Sequence, residues 1–362
     1  MTVRRSGQAA RAPQRSAAFR GDRSRLLRWL VAGSALLLAV AGCSSAVPGD
    51  AASAPSGGIA SGAPTPTPTA PAARPAFGPY VDTSVAIPDL AALAAQTGLK
   101  HVVLSFVVAQ GKGCDPVWNG SDPLDSLKAP IDAFHAAGGS VTIATGGADG
   151  TYIENACANA TDLAAAYTKI LDATGTNLLD IDVEHDVQIN KVIDALSRVH
   201  QARGTDITLT LPVDLAGLGP GQLGLVKRAA AVNLPITVNI MDMDFNADGD
   251  WGKAMVAAAQ TMLGQLRKVY PNATPAEQNR RLGITIMIGR NDNGVITAPR
   301  DAQTVLDYAR SHGVGRLGIW SLARDRGTCA KRVEAQPDCS GTAQKDFQYT
   351  QQLAGFTGPA PA

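Results

Sequence analysis

Strand-like and helix-like segments alternate eight times along this chain of 362 residues. The strand-like segments are short apolar runs, and apolar residues recur between them at the spacing of a helix face. Eight successive strand–helix pairs predict a single α/β domain, a (β/α)8 TIM barrel, because parallel strands need helical crossovers between them. The predicted strands cover residues 78–81, 101–108, 140–145, 178–183, 207–212, 236–245, 282–288 and 317–320.

A doubly wound open sheet is the alternative to the barrel. Such a sheet more often carries a glycine-rich phosphate loop after its first strand. The residues at that position, Tyr80-Val81-Asp82-Thr83, do not form such a loop. The barrel prediction also locates the site, because barrel enzymes place their active sites at the carboxyl ends of the strands.

Three carboxylates occupy alternate positions at the end of the fourth predicted strand, at Asp180, Asp182 and Glu184. Strand side chains alternate between faces, so the acids share one face and the apolar residues between them share the other. Crowded carboxylates raise one another's pKa, and a carboxyl group protonated near neutral pH is what a general acid requires. The alternatives are a solvated acidic strand edge and a divalent-metal site built from the same acids.

The segment Asp180-Ile181-Asp182-Val183-Glu184 resembles the D-x-D-x-E part of the acidic signature of family 18 glycoside hydrolases, the chitinase family. Three further motifs of that family have counterparts in the same chain order. They are Ala144-Thr145-Gly146-Gly147 on the third strand, Met241-Asp242-Met243-Asp244 on the sixth and Trp320 on the eighth. The resemblance spans residues 77–356 and looks closest to a branch of bacterial and archaeal chitinase-like proteins.

The resemblance implies a retaining hydrolase of β-1,4-linked N-acetylglucosamine, in which the N-acetyl group of the substrate acts as the nucleophile. In that mechanism Glu184 protonates the glycosidic oxygen and Asp182 orients the acetamido group. Asp180 lies deeper and modulates the charge of Asp182. The implied partner is chitin or an N-acetylglucosamine oligosaccharide, and neither a metal nor an organic cofactor is required.

Substrate-binding residues are expected at other strand ends. The resemblance implies that Asp244 binds near the acetamido group or the sugar hydroxyls and that Trp320 floors the sugar site. Tyr80 and Gly146 are further candidates, because they lie at or near the ends of the first and third strands. The plainer alternatives are a turn or cap role for Asp244 and a place in the core for Trp320.

Two departures from the family pattern remove hydroxyl groups. Met243, a further candidate for contact with the substrate, stands where the family has a Tyr that contacts the acetamido oxygen, and Ala144 stands where it has a Ser. Losing such a donor costs on the order of a hundredfold in rate when nothing replaces it. A catalytically weak or inactive protein that binds chitin or its oligosaccharides is therefore the alternative function. A third possibility is an N-acetylglucosaminidase that acts on other glycans.

The first 43 residues have the pattern of a bacterial export signal. Arginines are followed by an apolar run over residues 29–41, and Val40-Ala41-Gly42-Cys43 resembles a lipobox. We expect a lipid anchor at Cys43 on the outer face of the bacterial cytoplasmic membrane, with ordinary cleavage and secretion as the alternative. Residues 44–76, rich in Ala, Pro, Ser and Thr, predict a disordered linker, and residues 357–362 predict a short tail.

Charge and cysteine content fit an exported sugar-binding domain. The chain carries 32 basic and 31 acidic residues, but eight arginines and one aspartate precede Cys43, which leaves a net charge of about −6. This balance disfavours nucleic-acid binding, and we expect a monomer.

Four cysteines follow Cys43, and an even number in an exported protein predicts two disulfides. Cys329 and Cys339 would close a short loop. Cys114 and Cys157 would then join two loops that follow separate strands. A metal site is the alternative, which the absence of a CxxC pair and of a nearby His cluster disfavours.

Overall fold

A ring of parallel strands surrounded by helices forms residues 76–359, the part of the chain that the computed structural model describes. The strands are β1 Tyr80–Asp82, β2 His101–Ala109, β3 Pro116–Trp118, β4 Ser140–Gly146, β5 Leu178–Asp182, β6 Asp206–Pro212, β7 Ile236–Met241, β8 Leu282–Met287, β9 Gly289–Arg290, β10 Ile296–Thr297 and β11 Arg316–Trp320. The helices are α1 Leu90–Thr97, α2 Lys128–Ala136, α3 Ile153–Ala156, α4 Ala160–Thr174, α5 Ile189–Arg203, α6 Pro220–Ala231, α7 Trp251–Val269, α8 Pro275–Arg280, α9 Pro299–His312 and α10 Gln348–Leu353.

Eight strands form the ring in the order β1-β2-β4-β5-β6-β7-β8-β11, which is the order of the chain. Each strand pairs in parallel with the next one. The two end strands meet at a seam, where the Leu317 N–H donates to Ala76 O (2.7 Å) and the Gly78 N–H donates to Leu317 O (3.1 Å). The ring is therefore nearly closed, which confirms the (β/α)8 barrel and rejects the doubly wound open sheet.

All eight predicted strands are present, with one error of length. The strand predicted over residues 236–245 ends at Met241. Asp244 has a φ of 58°, in the left-handed region, so the chain leaves the extended conformation before Phe245. The hairpin strand β3 and the short pair β9–β10 were not predicted.

The large apolar core lies outside the barrel, between its strands and the helices. On β5, for example, Leu179 and Ile181 face this core. A smaller cluster of Tyr80, Val103 and Ala144 lies within the ring. Because strand side chains alternate, the opposite face of each strand points into the ring and is free to carry polar groups.

Local signals in the sequence explain where the helices begin and end. The Asn159 side chain accepts the N–H groups of Thr161 and Asp162 at the start of α4, and Gly175 ends that helix in the left-handed conformation. None of the helices in residues 76–359 has both the length and the apolar character needed to span a membrane.

Both predicted disulfides are confirmed. Cys114 pairs with Cys157 and Cys329 pairs with Cys339, with Cα–Cα distances of 4.5 Å and 6.0 Å. The first bond joins the β2–β3 connection to the end of α3, so it links the loops that follow two adjacent barrel strands. The predicted signal segment, its Cys43 and the linker up to residue 75 lie outside the described residues.

Candidate active site

A pocket of about 260 Å³ opens at the carboxyl ends of the barrel strands. Most of the residues predicted from the sequence line it, although they come from four different strand ends. These residues are Tyr80, Asp182, Glu184, Met243, Asp244 and Trp320. The structure thus brings together side chains that are up to 240 positions apart in the chain.

Asp180 and Gly146 do not line the pocket. Asp180 is fully buried beneath it and accepts hydrogen bonds from Tyr80 Oη and Thr210 Oγ1, both at 2.6 Å. Gly146 packs against the adjacent strand, where a Cβ would overlap the carbonyl oxygen of Asp182. The glycine is thus needed for the close approach of β4 to β5, not for contact with the pocket.

A polar network inside the barrel supports the floor of the pocket. Asn239 Nδ2 lies within hydrogen-bond distance of Tyr80 Oη (3.3 Å), Thr210 Oγ1 (3.1 Å) and Thr285 Oγ1 (2.9 Å), so its two N–H groups are shared among three hydroxyl oxygens. Asn239 and these three partners are all buried, so each polar group depends on its neighbours rather than on water. The network fixes the hydroxyl groups that hold Asp180.

The two aspartates of β5 have different capacities to hold a negative charge. Burial raises the pKa of Asp180, but Arg316 and the hydrogen bonds from Thr210 and Tyr80 oppose this rise. Burial also raises the pKa of Asp182, and the charges of Asp180 and Glu184 raise it further. Asp182 Oδ1 forms no hydrogen bond within the described residues. Asp180 is therefore better able than Asp182 to hold a negative charge.

Glu184 lies at the mouth of the pocket, two residues beyond the end of β5. Partial burial raises the pKa of its carboxyl group, and the charges of Asp244, Asp149 and Asp292 add to this rise. The adjacent His185 has the opposite effect. A raised pKa favours the protonated form of Glu184, which is the form that a general acid needs.

Asp244 is both a turn residue and a pocket residue. Its Oδ1 accepts the backbone N–H groups of Asp292 (2.7 Å) and Asn293 (3.3 Å), which ties the end of β7 to the loop after β9. Burial raises the pKa of Asp244, and these two backbone donors oppose the rise. The second carboxylate oxygen is not engaged by those amides.

An aromatic wall closes one side of the pocket. The ring of Trp320 stacks on Phe106 with a centroid distance of 5.6 Å and lies 5.9 Å from the ring of Tyr80. The peptide bonds Ser105–Phe106 and Trp320–Ser321 are cis. Trp320 is half-buried, so one part of its ring packs on neighbours while another borders the pocket.

A second pocket of about 290 Å³ lies on the other side of this aromatic wall. It shares Phe106, Ala148 and Trp320 with the first pocket and is otherwise lined by polar groups that include Asp82 and Asp149. The two pockets are therefore neighbours on either side of Phe106 and Trp320, at the carboxyl ends of the barrel strands.

Several lining residues were missed by the sequence analysis. They are Phe106, Ala148, Thr210, Pro212, Met241, Thr285, Met287 and Asp292. A signal existed for two of them, because Thr210 and Thr285 are polar residues at inward positions of otherwise apolar strands. Loop residues such as Ala148 and Asp292 carry no comparable pattern.

The pocket combines acids with apolar walls. Asp182, Glu184, Asp244 and Asp292 line it, and its other lining side chains are aromatic, aliphatic, thioether or hydroxyl groups. No basic side chain is among the described residues that border it. The arrangement can donate a proton and stabilise a positive charge that develops in a substrate.

The sequence and the structure were compared with those of known proteins, and the relatives described below are chitinases. No protein-family model matches the chain. The chain is 32% identical over 275 residues to a probable bifunctional chitinase/lysozyme of Escherichia coli strain K12, and 32% identical over 274 residues to endochitinase 11 of Metarhizium anisopliae. Each match covers 69% of this chain but only 31% and 52% of the respective relative, so the chain spans about a third and about half of their lengths.

Solved structures of a Pyrococcus furiosus chitinase match over nearly their whole length. The catalytic domain of this hyperthermophilic enzyme has a TM-score of 0.72 and 31% identity, and the match covers 78% of this chain and 96% of that domain. Catalytic-site mutants of its active domain 2, in complex with chito-oligosaccharides, give a TM-score of 0.73 at 30% identity with the same coverage.

Proposed function

Because the chain belongs to family 18 of the glycoside hydrolases, the chitinase family, we propose that it cleaves β-1,4 linkages between N-acetylglucosamine units of chitin or chito-oligosaccharides. The observation that carries this proposal is the line of acids on β5. Asp180 is buried and hydrogen-bonded, Asp182 lines the pocket with an unpartnered oxygen, and Glu184 stands at the mouth.

Glu184 is proposed as the acid and base of the reaction. Its raised pKa favours the protonated form that must be present when the substrate binds. The carboxyl group gives its proton to the glycosidic oxygen as the bond to the anomeric carbon breaks. In the second step the resulting carboxylate takes a proton from water, which then attacks the same carbon, so the acid is restored.

Asp182 is proposed to position the substrate's nucleophile. The carbonyl oxygen of the N-acetyl group attacks the anomeric carbon and forms an oxazolinium ion, whose positive charge needs a nearby acceptor. Asp182 lines the pocket, and its carboxyl group is assigned the acetamido N–H as its partner. A negative charge on Asp182 stabilises the positive charge that develops on the oxazolinium ion.

An oligosaccharide is supported as the substrate by the presence of two adjacent pockets. The pocket with the acids and the second pocket meet at Phe106 and Trp320, and aromatic faces are suited to stacking on sugar rings. The related chitinase of P. furiosus has been solved with chito-oligosaccharides. These observations favour a chain of several sugars over a single one.

Met243 supports a second candidate, a chitin-binding protein with weak or no turnover. This side chain lines the pocket but has no hydroxyl group to donate to the acetamido oxygen. The hydroxyl groups of Tyr80 and Thr210 donate to Asp180, so neither is available as a substitute. By contrast, Ala144 does not deprive Asp180 of donors, because both its carboxylate oxygens are already hydrogen-bonded.

Hydrolysis of chito-oligosaccharides separates the two candidates. We expect turnover by the full chain and a fall in kcat of roughly 10²–10⁴-fold in Glu184→Gln, because general acid catalysis contributes about that factor. Glu334→Gln, an exposed glutamate in the Cys329–Cys339 loop, is the matched control. Equal activity in Glu184→Gln and wild type would reject Glu184 as the acid. Binding of the oligosaccharide without turnover would establish the binding protein instead.

We also propose that the protein is exported, anchored through a lipid on Cys43 to the outer face of the membrane, and monomeric. The two disulfides support the export, because such bonds persist in oxidising compartments. Replacing Cys43 by Ser should release the protein from the membrane fraction and abolish incorporation of labelled fatty acid. Secretion of both wild type and variant without a lipid would favour ordinary signal cleavage. Light scattering of the released variant tests whether it is a monomer.

A further inference from the structure

The backbone of Glu184 is held by a tyrosine from a neighbouring loop. The Tyr152 hydroxyl accepts the Glu184 N–H at 2.9 Å and donates to Gly147 O at 2.7 Å. Tyr152 is buried, with 3% of its surface exposed, and is not among the residues that line the pocket. Its hydroxyl group therefore connects the end of β4 to the residue after β5 from behind the pocket wall.

Other hydrogen bonds join the same two segments. We call residues 147–157 the β4 loop. The Gly147 N–H donates to Asp182 O (3.1 Å), the Asn155 amide donates to Asp186 O (3.0 Å), and His185 Nε2 lies 2.9 Å from Ala148 O. The segment from Asp182 to Asp186 is thus attached to the β4 loop at several points, with Tyr152 at the centre.

The β4 loop is itself firmly anchored. Glu154 is fully buried and accepts hydrogen bonds from Thr145 Oγ1 (2.7 Å) and Tyr167 Oη (2.9 Å). Cys157 is bonded to Cys114, and its carbonyl oxygen accepts a hydrogen bond from Lys191 Nζ (2.8 Å). The segment that follows Tyr152 is therefore fixed to the barrel at Glu154 and at Cys157.

We propose that Tyr152 is a positioning residue that fixes the backbone of Glu184 and thereby aims its carboxyl group at the glycosidic oxygen. This inference rests on the proposed function of Glu184 as the acid. The Val183 N–H donates to Thr210 O of β6 at 2.9 Å and continues the pairing of β5 with β6. Beyond it, the N–H of Glu184 is held by Tyr152 rather than by a neighbouring strand.

The effect on catalysis follows from the geometry that proton transfer requires. A general acid acts only within hydrogen-bond distance of the atom that it protonates, and a displacement of about 1 Å costs on the order of a hundredfold in rate. Glu184 is exposed at the pocket mouth, so its surroundings restrain its side chain little. The Tyr152 hydroxyl fixes the backbone from which that side chain starts, and so limits the positions that the carboxyl group can reach.

Tyr152→Phe tests the inference because it removes the hydroxyl group and keeps the ring. In the full chain we expect kcat on a chito-oligosaccharide to fall roughly 10–100-fold with KM close to wild type. The loss should be smaller on an aryl chito-oligosaccharide with an acidic phenol as leaving group, since such a group departs without protonation. Tyr308→Phe is the control, because Tyr308 is similarly buried and its hydroxyl forms no hydrogen bond within the described residues.

Glu184→Gln, measured in parallel, separates the inference from the proposed function. Wild-type kcat in Tyr152→Phe beside an inactive Glu184→Gln overturns the inference alone. Equal losses of Tyr152→Phe on both substrates, or a change in KM without a change in kcat, also overturn it. A wild-type chain that does not hydrolyse either substrate rejects the proposed function and this inference with it.

Discussion

The strands β5 and β7 both lead into an Asp-x-Asp pair, yet the two pairs have different surroundings. Asp182 lies inside the barrel and lines the pocket. Asp242, one residue beyond the end of β7, is fully buried, is not among the pocket residues, and has two carboxylate oxygens without a hydrogen bond in the described part of the chain. Asp242 therefore faces the surrounding core, whereas Asp182 on β5 and Asp244, beyond the turn after β7, line the pocket.

The phase of the strand explains this difference. On β5 the inward positions are the even-numbered residues, so Asp180 and Asp182 both point into the ring. On β7 they are the odd-numbered residues, and Met241 and Met243 line the pocket instead. Burial raises the pKa of Asp182 and Asp242 alike. A raised pKa thus reflects burial of the carboxyl group and does not by itself identify a catalytic residue. The direction of the side chain decides whether the carboxyl group can reach a substrate.

The largest effect is expected when Asp182 and Asp242 are each replaced by asparagine. We expect Asp182→Asn to lower kcat by roughly 10²–10³-fold, because a preorganised charge beside the developing oxazolinium ion is lost. Asp242→Asn should leave kcat close to wild type. Hydrolysis of a chito-oligosaccharide by both variants is the measurement, and similar losses in the two would contradict the division between site and core.

A smaller effect is expected at Asp244, where the pocket role and the turn role can be separated. Asp244→Asn keeps an oxygen that can accept the N–H groups of Asp292 and Asn293, but removes the charge. We expect kcat/KM to fall about tenfold in this variant with little change in stability. Asp244→Ala should in addition lower the free energy of unfolding by about 1 kcal/mol. Equal stability of the two variants would show that the turn does not depend on this carboxyl group.

The smallest effect concerns stability and pH at Asp242. Its pKa is higher in the folded than in the unfolded chain, so the folded state binds more protons between the two values and loses stability as pH rises through that window. Asp242→Asn cannot ionise, so it should be more stable than wild type at pH 8. The gain should shrink toward pH 4. Melting temperatures at both values test this, and a gain that does not depend on pH would argue against a buried ionisable Asp242.

The barrel could be predicted from the sequence because each strand and helix has its own local pattern of apolar residues, and this pattern is repeated eight times. A short apolar run indicates each strand. Because the active site of a barrel lies at the carboxyl ends of its strands, the strand ends then predict where the pocket is. Asp182, Glu184 and Trp320 were identified in this way. The end of β7 was placed four residues too late, since Met243 and Phe245 continue the apolar run and nothing in the sequence marks the left-handed conformation of Asp244.

The contacts between distant loops could not be predicted from pattern. Tyr152 and Glu184 are 32 positions apart, and their hydrogen bond exists only because β4 and β5 are neighbours and the β4 loop folds back over them. The residues around a loop tyrosine do not indicate whether its hydroxyl group accepts a hydrogen bond from a backbone amide. The inward polar residues Thr210, Asn239 and Thr285 were in principle visible, because they interrupt apolar strands at alternate positions.

The seam between β1 and β11 determines how the barrel responds to a pulling force. The described chain enters the fold at Ala76, and Leu317 bonds to residues on both sides of Phe77. Tension applied before Ala76 therefore loads these two hydrogen bonds first and the β1–β2 ladder after them. In the order of the ring, β5 lies across from the seam. Mechanical load thus enters the molecule opposite the acids, and because Tyr80 on β1 and Trp320 on β11 line the pocket, opening of the seam would reach the aromatic wall before the acids.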